Sequence, residues 1–106
     1  MRCFTDPSGF PRIDVAPLPD TVSSFLELDI KGNAQAADEV VAQVDRILNG
    51  GVEGWKTVGE TFAITLHRDG ASIDCVWGDD NCKLSLADLR QCLVAWRVFI
   101  GEPAAR

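Results

Sequence analysis

Phe62-Ala63-Ile64-Thr65-Leu66-His67-Arg68-Asp69-Gly70-Ala71-Ser72-Ile73-Asp74-Cys75-Val76-Trp77 is the stretch on which the reading of the fold turns. Apolar and polar residues alternate on both sides of Asp69-Gly70, and an Asp-Gly pair between two alternating runs is a strong two-residue hairpin signal. Pairing outward from that turn sets Leu66 opposite Ile73, Ile64 opposite Cys75 and Phe62 opposite Trp77. All six fall on one face. The other face then carries His67 with Ser72, Thr65 with Asp74, and Ala63 with Val76. A slip of one residue would mix the two sets, so the pattern predicts a hairpin with one covered and one open side.

On the C-terminal side, the loop of residues 78–83 leads to a helix. Ser85 is a good cap, Asp88 three residues on makes a variant of the capping box, and Leu84 and Leu89 occupy the positions of a hydrophobic staple. Leu86, Leu89, Leu93, Trp96 and Ile100 form its apolar stripe, and Gly101 and Pro103 end it. On the N-terminal side, residues 34–49 carry Ala37, Val40, Val41, Val44, Ile47 and Leu48 on one side of a second helix. Asn33 can cap it and Gly50-Gly51 stop it. Trp55 lies in a stretch without clear period and either plugs the end of the core or stands as an exposed anchor. Earlier still, residues 24–31 alternate, with Leu26, Leu28 and Ile30 against Phe25, Glu27 and Asp29, which predicts a strand. Phe4 and Thr5, the turn Asp6-Pro7-Ser8-Gly9 and residues 10–16 predict an opening hairpin.

These segments add up to an α+β domain over residues 1–101: an antiparallel or mixed sheet of about five strands with two helices on one face. Residues 102–106 are expected to form a loose tail. With 106 residues the chain fits one core and not two.

Sixteen Asp and Glu face ten Lys and Arg, a net charge of −6 with no basic stripe, which argues against direct binding to nucleic acid or an anionic membrane surface. An acidic field attracts basic proteins, although acidity also serves solubility alone. No long apolar run suggests a leader or a membrane span, so the cytoplasm is the expected compartment and Cys3, Cys75, Cys82 and Cys92 read as free thiols. No C-x-x-C pair, calcium loop or phosphate-binding glycine loop occurs, and no metal or cofactor is expected. His67, the one imidazole, reads as an exposed strand residue near a hairpin tip. A small enzyme using His67 or Cys82 is the less favoured alternative. Strand alternation places Asp14, Glu27, Asp29 and Asp74 on the open face of the sheet, with Asp79 and Asp80 at its edge. These six are the candidate partner-binding residues, a docking face for a basic protein.

In order and motif the chain resembles the YacL-like family of small bacterial proteins. The resemblance rests on the opening hairpin around Phe4, Asp6 and Gly9, the middle helix from Asp38 to Leu48, and Trp55 followed by Gly59. It continues through the Asp69-Gly70 hairpin, Leu84-Ser85-Leu86, and the run Ala95-Trp96-Arg97-Val98-Phe99-Ile100. The stretch of residues 78–83 is shorter here than in the housekeeping members. Divergent members of this family are immunity proteins of contact-dependent growth inhibition systems. The resemblance therefore implies a non-enzymatic antitoxin that covers the active site of a basic nuclease toxin. The alternative it implies is a housekeeping protein-binding module with another partner.

Overall fold

The chain opens with a hairpin because Asp6 folds its carboxylate back over the turn. In the computed structural model, which describes residues 1–101, Asp6 Oδ1 accepts from the N–H groups of Ser8 and Phe10, each at 2.9 Å. Gly9 takes the left-handed φ of 90° that closes the turn. Strand β1 (Arg2–Thr5) thus pairs antiparallel with β2 (Pro11–Asp14), Cys3 facing Ile13. The tail expected for residues 102–106 lies outside the described residues.

Residues 24–31 are not a strand. Helix α1 (Asp20–Phe25) runs straight into a π-helical turn, Leu26–Ile30. The buried residues Thr21, Val22, Phe25, Leu26 and Ile30 share one face only at helical spacing, and the start of that face lies upstream of the apparent alternation. Pro19 stands at the N-cap and Asp20 in the first turn, where a carboxylate suits the helix dipole. The Lys31 N–H reaches back five residues to the Leu26 carbonyl at 2.8 Å, and Lys31 ends the turn with φ 54°. The freed Lys31 carbonyl accepts from the indole N–H of Trp96 at 2.7 Å.

Helix α2 (Ala34–Leu48) forms as its pattern predicts. The Asn33 side chain accepts from the Ala36 N–H at 3.1 Å, and Ala37, Val40, Val44 and Ile47 are buried. Strands β3 (Gly54–Val58), β4 (Phe62–His67), β5 (Gly70–Cys75) and β6 (Asn81–Leu84) build an antiparallel sheet in the order β3-β4-β5-β6. Helix α3 (Leu86–Ile100) follows, with Ser85 Oγ accepting from the Asp88 N–H at 3.0 Å. The α+β class holds, but with two antiparallel sheets, six strands and three helices among the described residues, not one sheet of about five strands with two helices.

The central hairpin forms with its faces as expected and its partners displaced. Phe62 pairs with Cys75, Ile64 with Ile73 and Leu66 with Ala71. The two-residue loop is Arg68-Asp69, and Gly70, the first residue of β5, has a positive φ of 147°. Moving the turn by one residue changes the register by two. A shift of two returns every side chain to the same face, so the apolar set survives while the cross-strand partners change.

Phe62, Ile64, Leu66, Ala71, Ile73 and Cys82 point inward and join Val22, Phe25, Val44, Ile47, Leu89, Leu93 and Trp96 in one core. Arg90 clamps Asp45 through two hydrogen bonds of 2.7 and 3.2 Å, and Arg97 Nε meets Asp38 at 2.9 Å, so α3 is tied to α2 at its edges. The opposite face of the sheet stays open: Lys56, Val58, Asp74, Asn81 and Lys83 are all exposed there.

Candidate functional site

The six carboxylates read from the sequence do not form one surface. Asp14 is exposed, but on the separate two-stranded sheet, where its Oδ1 accepts from the Ala16 N–H at 3.0 Å. Glu27 and Asp29 lie on the π-helical turn and face inward, because residues that were expected to alternate across a strand instead follow a helix. Glu27 Oε2 accepts from the buried Ile13 N–H at 2.9 Å, and its Oε1 meets Arg12 Nε at 3.1 Å. Asp29 accepts from the N–H groups of Thr61 and Phe62 at 3.0 and 2.8 Å, capping the start of β4. Gly59 leaves room for it: a Cβ there would stand 2.6 Å from Asp29 Oδ2, so the carboxylate would have to shift.

The remaining three lie at one end of the four-stranded sheet, Asp74 and Asp79 exposed and Asp80 bound to α1. Asp74 sits on β5 between Ala63 and Asn81. Asp79 and Asp80 lie in the turn that joins β5 to β6. That turn is held by the Cys75 N–H, which donates to the Asp80 carbonyl at 2.8 Å, while the Asp80 carboxylate accepts the Thr21 hydroxyl proton. Along the rest of the open face, Lys56, Thr65, Ser72 and Lys83 form a cross-strand row. The face expected to be broadly negative is therefore a row with two lysines, ending in an acidic rim.

Trp77 is the residue that sequence reasoning misplaced. It was expected opposite Phe62 in the core and is 81% exposed. With the turn at Arg68-Asp69, β5 ends at Cys75 and Trp77 falls in the turn beyond it. The signal lay in Arg68-Asp69-Gly70, since a glycine after two loop residues is the second common way to build a hairpin turn. Trp55, left open between core plug and exposed anchor, is half-buried on the inner face opposite Leu66.

The groups able to do chemistry are dispersed. His67 is exposed at the end of β4, in a shallow depression shared with Asp69, Ser72 and Lys83. Burial pushes the Cys92 thiol up to about 11, and burial with the nearby Asp80 and Asp74 also raises Cys82, so both are held as thiols at neutral pH. Among the described residues, no group of three or more His, Cys, Asp or Glu side chains is arranged to hold a metal ion. Nor is any helix among them long and apolar enough to cross a membrane. No protein-family model, curated protein or solved structure matches the chain.

Proposed function

We propose that this protein works by binding a basic protein partner. The specific reading is an immunity protein that neutralises a nuclease toxin of the contact-dependent growth inhibition type by covering its active site. The observation that carries the reading is the acidic rim, where Asp74 and Asp79 are exposed at the end of an open sheet face on a chain of net charge −6. A nuclease cleft is lined with Lys and Arg because it holds phosphates, and an acidic surface competes for those same groups. Complementary charge raises the association rate and selects the partner. Two buried thiols with raised pKa and an exposed imidazole supply no activated nucleophile–base pair, which favours binding over catalysis as the mode of action.

The test uses the protein encoded by the adjacent gene, co-expressed with this chain. The reading requires a stable one-to-one complex and rescue of growth when that neighbour is toxic. A toxic neighbour that neither binds nor is suppressed would overturn it.

A further inference from the structure

An indole four-fifths exposed is a costly thing to leave in water, and Trp77 is not loose. Its Nε1–H donates to the Glu60 carbonyl at 2.8 Å, and the preceding Val76 N–H donates to the Thr61 carbonyl at 2.8 Å. The β3–β4 and β5–β6 turns are thereby joined, and the ring is fixed with its bulk outward. Val58, the last residue of β3, and Val76, in the β5–β6 turn, are 62% and 43% exposed. Ala63 continues the apolar surface between Val58 and Asp74. An apolar patch held rigid and uncovered marks an interaction surface, and tryptophan is the side chain most enriched in binding hot spots.

The charges around the patch indicate what fits it. Asp74 lies on the same strand face, two residues before Val76, and Asp79 and Asp80 follow Trp77 by two and three residues. The Glu60 carboxylate is engaged by Lys31 at 3.6 Å, and Lys56 stands two residues before Val58. The rim on the Trp77 side is thus anionic and the far side cationic.

We infer that Trp77 is the anchor of a docking surface for a basic protein, taking an arginine side chain of the partner against its indole face between Asp74 and Asp79. The guanidinium is planar, weakly hydrated and stacks on aromatic faces. It gains cation–π attraction from the ring and charge-assisted hydrogen bonds from the carboxylates. Lysine offers the charge without the planar group. This inference rests on the partner-binding reading above and adds to it the surface and the residue that would be recognised.

The full-length chain is titrated with a hexa-arginine and a hexa-lysine peptide, and nitrogen–proton correlation spectra are recorded. The Trp77 indole signal and the amides of Val58, Val76 and Asp79 should move, while the Trp96 indole signal stays. Hexa-arginine should bind more tightly than hexa-lysine, and Trp77→Ala should weaken hexa-arginine about two- to five-fold and abolish the preference. The surface is wrong if the shifts map elsewhere, or if Trp77→Ala keeps both the affinity and the preference. The same variant is then tested against the neighbouring gene product. If the peptides behave as described and that product does not bind, the toxin reading fails and the surface stands. If that product binds the wild type and Trp77→Ala equally, the surface fails and the toxin reading stands.

Discussion

The π-helical turn and the β5–β6 turn carry similar residues, acidic side chains interleaved with large apolar ones, yet the fold uses them in opposite ways. In the π-helical turn, Phe25, Leu26 and Ile30 go into the core, and Glu27 and Asp29 bond backbone amides of β2 and β4. In the β5–β6 turn, Val76 and Trp77 stay in solvent, and Asp74 and Asp79 are exposed beside them. A carboxylate that accepts from backbone amides belongs to the fold. One that meets only water is available to a partner. Charge and sequence position do not separate the two cases; what the oxygens accept from does.

Replacing Asp29 breaks the comparison most sharply. Asp29→Ala leaves the Thr61 and Phe62 amides without an acceptor and should cost about 2–3 kcal/mol in urea unfolding. A loss below about 0.5 kcal/mol would mean that water replaces the carboxylate freely. Glu27→Ala frees the buried Ile13 amide and an exposed arginine, and about 1–2 kcal/mol is the corresponding expectation by the same measurement.

A gentler effect comes from Cys92. Its thiol titrates higher in the fold than in the unfolded chain, so the fold keeps its full stability below the unfolded thiol's pKa and loses part of it as pH rises from about 9 toward 11. Melting curves across that range should show this slope, and Cys92→Ala should flatten it. On the acid side, hydrogen bonding from Arg90 holds the Asp45 carboxyl below its usual range. The stability this adds is present above the unfolded carboxyl pKa and fades as pH falls below about 4. Because the pair is exposed, Arg90→Ala should cost little stability and make the acid limb of a pH titration shallower. At the bottom of the order stand Trp77→Ala and Asp79→Lys, which should change stability by less than about 0.5 kcal/mol in the same assays.

How far the sequence could be read follows the same division. Helices α2 and α3 are legible because a cap, a one-sided apolar stripe and a glycine stop agree at each one. The alternating pairs around Asp69 likewise exposed the hairpin, whose face assignment survives a two-residue change of register. Residues 24–31 misled because their alternation is a fragment of a helical pattern that begins at Thr21, hidden behind Pro17 and Pro19. Strand β3 was missed because it is an edge strand with Lys56, Thr57 and Val58 all exposed, leaving no apolar alternation to read. Strand β6 carries no strand pattern because, of its four residues, only Cys82 is buried. Of the six candidate carboxylates, Asp74 and Asp79 reach the exposed rim, while Asp80 beside them is bound to Thr21. Glu27 and Asp29 were lost with the strand that was expected to present them, and the same register error hid Trp77.

The measurement that bears most directly on the account is the association rate of this chain with the neighbouring gene product, for wild type and for an Asp74→Lys/Asp79→Lys variant, over a series of salt concentrations. The acidic rim predicts that the variant associates about ten-fold more slowly at low salt, with the two rates converging as salt screens the charge. Equal rates at low salt would contradict it.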